Sequence, residues 1–262
     1  MIMALDVGNT ESMLGLFDHG ELLEHWRLST HPARTADELG LLLRALLRES
    51  GFDPDGVDSV AIASVVPPVT HVFADAAAHH LGARVYTIEA TTPLPVRLDV
   101  DEPLTVGPDR IVNTLAALQL FHTDTIAVDF GTATTFDCIT AGGVFVGGII
   151  APGLNTMAES LVRRTAVLPR VELRPPPTVI GRRTDTAIRS GILYTAIDAV
   201  DGIVRRIKAE WRPRALVVAT GGLAETIAPL CTTIDRVEPF MTLYGLMFAL
   251  RHLEKQTSSR RR

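Results

Sequence analysis

Short apolar runs of strand length alternate along this chain with longer segments in which apolar residues recur at helical spacing. Residues 57–67 form a near-continuous apolar run, which is typical of a buried strand. Leucines recur every three or four positions through 35–51, where Thr35 or Asp37 can cap the start of a helix and Gly51 its end. Antiparallel strands come first and helices then alternate with strands, so the pattern predicts an α/β fold.

One strand-and-turn pattern occurs twice. Residues 4–10 read ALDVGNT and residues 127–135 read AVDFGTATT, and a second apolar segment follows each after a turn. Both patterns are a short apolar run that leads to an aspartate, a glycine and then small polar residues. Asp6 and Asp129 lie 123 positions apart (129 − 6) in a chain of 262 residues. A repeat at nearly half the length predicts two similar halves that face each other across a nucleotide.

Charge and cysteine content exclude several classes of partner. The net charge is −5 and the pI is about 5.9, which argues against a nucleic-acid or anionic-membrane partner. No stretch has about eighteen consecutive apolar residues, so we expect neither a signal peptide nor a membrane span. Cys138 and Cys231 are far apart and outside any metal-binding spacing, and Cys138 reads as a buried thiol. This cysteine usage fits a reducing cytoplasm.

The first turn carries residue types that suit a phosphate group. A glycine directly after a strand, here Gly8, lets the backbone approach an anion closely, and Asn9 and Thr10 add neutral donors. Asp6 would repel phosphate, so it must act through a cation or an ordered water. A simple tight turn explains Gly-Asn equally well on its own. The second copy around Asp129 favours a pair of phosphate loops.

Two other glycine clusters each fit more than one structural role. Gly147, Gly148 and Gly153 fit a turn or a packing contact between the halves. Gly221 and Gly222 follow an apolar run and precede a helix start, which suits either a plain strand–helix turn or a nucleotide at a helix N-terminus.

Residues 107–110 read GPDR and form the most unusual polar patch. A helix that begins near Asp109 would place a carboxylate at its positive end, beside the guanidinium of Arg110. This pair fits an N-cap with a local ion pair, and it also fits a general base beside an anion clamp. The chain has no GxxxxGK[ST], HExxH or GxSxG signature, and its histidines show no metal-binding spacing.

Seven segments together closely resemble the type III pantothenate kinases, members of the actin/sugar-kinase/Hsp70 ATPase superfamily. In chain order they are DVGNT, GPDR, DFGTATTFD, GGIIAPGL, RTAVLPRVEL, VIGRRT and ATGGLAE, within residues 3 to about 250. The resemblance implies two duplicated ribonuclease-H-like halves of actin-like ATPase type with a nucleotide cleft between them. We expect residues 1–118 to form the half with the first phosphate loop and GPDR. Residues 119–255 should form the half with the second loop and the adenosine side, and 256–262 a disordered basic tail.

The resemblance also implies an activity, cofactors and site residues. Members of the family transfer the γ-phosphoryl group of ATP to the primary hydroxyl of pantothenate, the first step towards coenzyme A, with Mg²⁺ and with K⁺ or NH₄⁺. The implied ATP-binding residues are Asp6, Val7, Gly8, Asn9, Thr10, Glu11, Ser12, Met13 and Thr132. The implied substrate-binding residues are Gly107, Pro108, Asp109, Arg110 and Thr184, with Asp109 as the general base. Asp129 would bind the monovalent cation, and the implied assembly is a homodimer.

Three positions depart from the family pattern. Val100 replaces a tyrosine and Glu102 an asparagine found in many relatives, and Glu11 is acidic in the first phosphate loop. These changes are expected to weaken binding of a negatively charged substrate. Two alternatives therefore stay open: a kinase for another small hydroxyl compound, and a non-catalytic nucleotide-binding regulatory protein of the same fold.

Overall fold

The structure is a computed structural model that describes residues 1–31 and 34–260. Within these residues the strands are β1 (Ile2–Val7), β2 (Glu11–Asp18), β3 (Glu21–Ser29), β4 (Ser59–Ser64), β5 (Arg84–Thr87), β6 (Arg97–Leu98), β7 (Thr125–Phe130), β8 (Ala133–Ile139), β9 (Val144–Pro152), β10 (Leu216–Thr220) and β11 (Arg236–Val237). The helices are α1 (Ala36–Glu49), α2 (Pro67–His80), α3 (Pro108–Leu120), α4 (Leu154–Arg164), α5 (Thr184–Glu210), α6 (Ala224–Ile227) and α7 (Met241–Arg260).

The chain divides into two compact units. The first contains Met1–Phe121, Gly143–Phe145 and the closing segment from Met241, and the second contains His122–Gly142 and Val146–Phe240. The boundary near residue 121 lies close to the expected 118/119. Helix α7 differs from the expectation, because it belongs to the first unit although it follows the second in sequence.

Helix α7 joins the first unit through its apolar side chains. It packs on α3, β1 and β4, and Leu243, Leu246 and Leu250 are fully buried. Gly245 permits the close approach, because a Cβ at this position would overlap the backbone of Val112 in α3. Contact between segments so far apart in sequence leaves no local pattern, which is why the expected boundary missed it.

The first unit contains a five-stranded sheet in the order β3-β2-β1-β4-β5. Strands β1, β2 and β3 are antiparallel, and β4 and β5 run parallel to β1. His19 and Gly20 both have positive φ, 49° and 99°, as a tight hairpin turn between β2 and β3 requires. The turn at Asp18-His19-Gly20 thus joins β2 and β3 as a hairpin.

The second sheet repeats this order. It runs β11-β10-β7-β8-β9-β6, so that β7, β8, β9, β10 and β11 take the places of β1 to β5. Strand β8 is antiparallel to β7, and β10 is parallel to it. The predicted duplication is therefore confirmed at the level of strand order. The additional strand β6 is only two residues long and pairs in parallel with β9.

Each unit has its own apolar core. In the first, side chains of β1, β2 and β4 pack with α1 and α2. In the second, Ile126, Val128 and Phe130 of β7 pack with α5 and with β10. Because side chains alternate along a strand, Asp129 belongs to the opposite face of this second sheet. Helix α1 begins with the predicted cap Thr35, which forms a capping box with Glu38.

The end of the chain also differs from the expectation. Helix α7 continues to Arg260, whereas a disordered tail was expected from residue 256; Arg261 and Arg262 lie outside the described residues. None of the helices formed by residues 1–31 and 34–260 has the length and apolar content needed to span a bilayer.

Asp201 is a carboxylate of the second unit that accepts several hydrogen bonds. It lies on the buried face of α5, and it accepts hydrogen bonds from the backbone N–H and hydroxyl groups of both Thr232 and Thr233. Burial raises the pKa of Asp201, but these hydrogen bonds outweigh burial and hold it below its ordinary value. The ionised carboxylate therefore fixes the segment that leads into β11.

We expect Asp201→Asn to lower the free energy of unfolding at neutral pH by about 1.5–3 kcal/mol, because hydrogen bonds to a charged acceptor are lost. Since the folded-state pKa is depressed, the carboxylate's contribution is complete above the unfolded pKa of about 4 and is lost as pH falls through the folded value. Denaturant midpoints between pH 3 and 7 should thus converge for variant and wild type at the acid end. A difference in denaturant midpoint that stays constant between pH 3 and 7 would contradict a stabilising role of the ionised carboxylate.

Candidate active site

The first phosphate-loop candidate is the turn between β1 and β2. The N–H of Gly8 donates to the carbonyl of Glu11 at 3.1 Å, which closes the turn, and a Cβ on Gly8 would lie 2.8 Å from that oxygen. The predicted residues Asn9, Thr10 and Glu11 are exposed at its tip. Asp6 lies at the end of β1, opposite Met13 in β2 and Ala63 in β4. The turn thus presents two neutral side chains and the carboxylate of Glu11 to solvent, with the carboxylate of Asp6 at its base.

The structure gives the other predicted residues of this loop different surroundings. Val7 is fully buried in the core, so its side chain is not available to a ligand. The Ser12 hydroxyl is also fully buried and lies 2.9 Å from the hydroxyl of Thr30. Met13 is partly exposed on β2. Val7 and Ser12 can therefore contribute only backbone groups or support to a nucleotide site.

Thr30 holds this loop, although it was not among the predicted site residues. Its hydroxyl donates to the carbonyl of Gly8 at 2.7 Å, and its backbone N–H donates to the carbonyl of Thr10 at 3.0 Å. Thr30 is 3% exposed and directly follows β3. These contacts fix the carbonyl groups of Gly8 and Thr10 in the turn.

The second phosphate-loop candidate joins β7 to β8. Gly131 and Thr132 are exposed, and the N–H of Gly131 donates to the carbonyl of Ala133 at 3.0 Å. The carbonyl of Thr132 accepts twice, from the N–H of Gly153 at 3.1 Å and from the hydroxyl of Thr156 at 2.6 Å. Helix α4 therefore holds this loop by its N-terminus. Thr156, like Thr30, was not among the predicted residues.

The structure explains why glycine is needed at two positions whose roles the sequence left open, Gly153 and Gly221. A Cβ on Gly153 would overlap the carbonyl oxygens of Gly131 and Thr132. Gly221 has φ +88°, and a Cβ there would overlap Oδ1 of Asp129 and lie 2.9 Å from the backbone N of Phe130. Both glycines permit contacts inside the second unit, in addition to making a turn.

Asp109 lies in the first turn of α3, whose N-cap is Gly107 and whose first residue is Pro108. The carboxyl is largely buried, and its Oδ1 has no hydrogen-bond partner among the described residues. Burial raises the pKa of Asp109 above its ordinary value, against the opposing effect of the backbone N–H and guanidinium of Arg110. An ionisable group with an unpaired buried oxygen at a helix N-terminus is suited to accept a proton.

Arg110 is held beside this carboxyl by an aromatic ring. Its guanidinium carbon lies 4.9 Å from the ring centroid of Phe145, and that ring is almost fully buried. A guanidinium fixed by such stacking can bind a carboxylate or phosphate through two parallel hydrogen bonds. The structure therefore supports an anion clamp beside the candidate base.

The last predicted site residue belongs to the second unit. Thr184 is exposed at the first position of α5 and follows the segment 165–183, which contains neither helix nor strand. Ser190 ties α5 to this segment by a hydrogen bond from its hydroxyl to the carbonyl of Val179.

The described residues contain no group of three or more His, Cys, Asp or Glu side chains arranged to bind a metal ion. A divalent cation would therefore need ligands from outside the protein. Mg²⁺ fits this situation, because it is commonly held by one or two carboxylates together with the phosphates of a nucleotide.

The fold and the two loops define a class of ATPase-like proteins. A Campylobacter jejuni protein described as a Baf family transcriptional activator superposes with a TM-score of 0.59 at 14% identity, over 97% of this chain and 99% of that one. The (R)-2-hydroxyglutaryl-CoA dehydratase component A of Acidaminococcus fermentans has a TM-score of 0.57 at 11% identity, over 98% of both chains. These structural similarities establish only the fold of the chain. This fold is the actin-like ATPase fold, which has two duplicated halves.

Sequence comparison then identifies the family. The family model described as type III pantothenate kinase matches residues 2–206. The type III pantothenate kinase of Moorella thermoacetica is 46% identical over 248 residues, which cover 94% of this chain and 97% of that protein. The type III pantothenate kinase of Geobacter sulfurreducens is 43% identical over 246 residues, with coverage of 94% and 96%. The chain belongs to the type III pantothenate kinase family.

Proposed function

We propose that this protein transfers the γ-phosphoryl group of ATP to the primary hydroxyl of pantothenate, with Asp109 as the general base. Family membership supports the reaction. The observation that supports the base is the buried Oδ1 of Asp109, which has no hydrogen-bond partner among the described residues and belongs to a carboxyl with a raised pKa. Phosphoryl transfer depends mostly on positioning and charge neutralisation, so the base orients the hydroxyl and takes its proton late.

The substrate carboxylate has a candidate partner in Arg110. Pantothenate is an anion, and a guanidinium held over the ring of Phe145 can bind its carboxylate bidentately. Gly107 and Pro108 shape the backbone beside it, and Thr184 supplies a hydroxyl as a further substrate contact. The carboxylates of Glu11 and Glu102 are exposed to solvent, which screens their repulsion of the substrate.

The two glycine turns are the proposed ATP-binding loops. Backbone N–H groups near Gly8 and the neutral side chains Asn9 and Thr10 would face phosphate oxygens, and Thr132 would do so from the second loop. Mg²⁺ bound to the phosphates would offset their charge, and Asp6 would hold it directly or through water. A Clostridium difficile protein of this fold, an activator of 2-hydroxyisocaproyl-CoA dehydratase, carries bound ADPNP, at a TM-score of 0.53 and 12% identity.

We expect Thr156→Val to raise the KM for ATP about three- to tenfold with little change in global stability, because it removes one hydrogen bond to the Thr132 carbonyl. Steady-state kinetics with varied ATP measure this effect, and Thr156→Ser should restore the wild-type value. Thr165→Val is the matched control, because the hydroxyl of Thr165 also donates to a carbonyl, that of Leu161 in the last turn of α4. An equal change in both valine variants would contradict a role in holding the loop.

Asp129 is the proposed carboxylate for K⁺ or NH₄⁺. It lies at the end of β7, beside two glycines: a Cβ at position 131 would lie 3.7 Å from Oδ1 of Asp129, and one at position 221 would overlap that oxygen. The cation would add to the charge neutralisation that Mg²⁺ provides.

A homodimer is the proposed assembly. Several large apolar side chains of the second unit are strongly exposed: Ile150 by 67%, Val167 by 86% and Ile180 by 79%. Apolar side chains so strongly exposed fit a surface that a second copy covers. Light scattering over a dilution series tests this assembly. For the location we propose the cytoplasm, supported by Cys138 and Cys231, neither of which is in a disulfide.

Purified protein incubated with ATP, Mg²⁺, K⁺ and pantothenate tests the proposed reaction. We expect ADP and 4'-phosphopantothenate in equal amounts, measured by a coupled ADP assay and by mass spectrometry. Turnover of another small alcohol but not of pantothenate would overturn the substrate. Binding of a fluorescent ATP analogue without any turnover would overturn the kinase activity and support the regulatory alternative.

A further inference from the structure

Thr220 has a buried hydroxyl with no hydrogen-bond partner among the described residues. This last residue of β10 is 1% exposed. Burying a hydroxyl without a partner costs about 1–3 kcal/mol, whereas valine has the same shape without that cost. Because no described residue supplies that partner, the hydroxyl fits a bound ligand.

Strand pairing places Thr220 beside Asp129. The two residues are direct Cα partners in the parallel pair of β10 and β7, so their side chains stand on the same face of the sheet. The next residue, Gly221, has no side chain, and a Cβ there would overlap Oδ1 of Asp129. The carboxylate and the hydroxyl thus lie on adjacent strands, and glycine at position 221 leaves room for the carboxylate to pack against the backbone there.

The first unit shows that the fold itself does not require a hydroxyl at this position. The equivalent pair there is Asp6 in β1 and its parallel partner Ala63 in β4. Ala63 is also fully buried, so the same strand end accepts a purely apolar side chain. The difference between Ala63 and Thr220 is specific to the half in which Asp129 is the proposed cation-binding aspartate.

The available chemistry fits a monovalent cation. K⁺ is bound by sets of oxygen atoms that replace its hydration shell, and a carboxylate and a hydroxyl both provide such oxygens. The two structural features that a bound ion would use are the Oγ1 of Thr220, which has no hydrogen-bond partner among the described residues, and the carboxylate of Asp129, whose Oδ1 packs against Gly221.

We propose that Thr220 is a second protein ligand of the monovalent cation held by Asp129, acting through its Oγ1 directly or through one water. The proposal rests on the cation role of Asp129 that is part of the proposed function. Thr220 acts on the reaction only through the cation, by setting the concentration at which K⁺ binds.

The test is the stabilisation of the protein by K⁺, measured without turnover. Thermal unfolding is followed at constant ionic strength while K⁺ replaces tetramethylammonium, which is too large to bind through such oxygens. We expect Thr220→Val to raise the K⁺ concentration that gives half of the Tm shift by at least about tenfold. Thr220→Ser, which keeps the hydroxyl, should remain within about twofold of wild type.

Two further variants separate the possible failures. Thr125→Val is the matched control, because Thr125 is fully buried on the same face of β7 but its hydroxyl donates to the carbonyl of Thr123; its K⁺ response should equal that of wild type. Asp129→Asn should lose the response. A wild-type protein that shows no K⁺ response overturns the cation site and this inference together. If Asp129→Asn loses the response while Thr220→Val keeps the wild-type midpoint, only the role of Thr220 is wrong.

Discussion

Asp109→Asn should lower kcat by about 10²- to 10⁴-fold, the usual contribution of a positioned general base. The amide cannot accept the proton of the substrate hydroxyl, yet it has nearly the shape of the carboxyl. ATP binding should be unchanged, because Asp109 lies in the first turn of α3 and the candidate phosphate loops are formed by other segments. Single-turnover kinetics with saturating ATP and pantothenate measure the effect on the chemical step.

The same substitution should leave the protein at least as stable as wild type at pH 7. A raised folded-state pKa means that folding disfavours the ionised carboxyl, so its penalty is absent below the unfolded pKa and develops as pH rises through the folded value. A neutral amide avoids this penalty. Loss of activity without loss of unfolding free energy distinguishes a functional carboxylate from a structural one.

The acid limb of kcat/KM provides a second readout for Asp109. Burial raises the pKa of Asp109, so kcat/KM should begin to fall, as the pH is lowered, at a pH above the ordinary aspartate pKa of about 4. Asp101→Asn is the matched control, since Asp101 is an exposed carboxylate in the segment just before α3. Its kcat and pH profile should equal those of wild type. An Asp109→Asn variant with the full wild-type kcat would show that another group is the base.

The duplicated aspartate turns were predictable because their signals are local. A strand run, an aspartate and a glycine fall within a few residues in both halves, and the strand order confirms the repeat. The hairpin residues His19 and Gly20 were predictable for the same reason, since a turn with two positive φ angles restricts the residue types it accepts.

The supports of the two loops could not be predicted from local pattern. Thr30 lies 22 positions from Gly8, whose carbonyl it holds, and Thr156 lies 24 positions from Thr132. A threonine at the end of a strand or in the first turn of a helix is common, so its type reveals no distant partner. Which hydroxyl meets which carbonyl is decided by the packing of separate elements.

The buried oxygens of Asp109 and Thr220 illustrate the same limit. From the sequence, Asp109 fitted a helix cap as well as a base, and Thr220 belonged to an apolar run before a glycine turn. Only burial without a hydrogen-bond partner separates these readings. In both cases no described residue supplies the hydrogen-bond partner that a purely structural role would require.

Gly221→Ala should lower the free energy of unfolding by about 2–5 kcal/mol and also reduce kcat. One part of the cost is conformational, because alanine at φ +88° is disfavoured by about 1–2 kcal/mol. The other part is steric: the new Cβ would overlap Oδ1 of Asp129 and lie 2.9–3.0 Å from backbone atoms of Phe130, and overpacking typically costs about 1–3 kcal/mol. The carboxylate must move to relieve this overlap, so the response to K⁺ should weaken as well.

Gly51→Ala separates the two parts of this cost. Gly51 has φ +83°, nearly that of Gly221, but a Cβ there would meet no atom within 4 Å. Denaturant unfolding of both variants therefore measures the conformational cost alone at position 51 and the sum at position 221. Gly51→Ala should keep the wild-type kcat and K⁺ response, because Gly51 follows α1, far along the chain from both loops.

If the two variants lose equal stability, or if Gly221→Ala keeps full activity, the position of the Asp129 carboxylate does not depend on the lack of a side chain at residue 221. A larger loss confined to Gly221→Ala would place the constraint at the carboxylate of Asp129 and the backbone of Phe130, since φ is nearly the same at the two glycines.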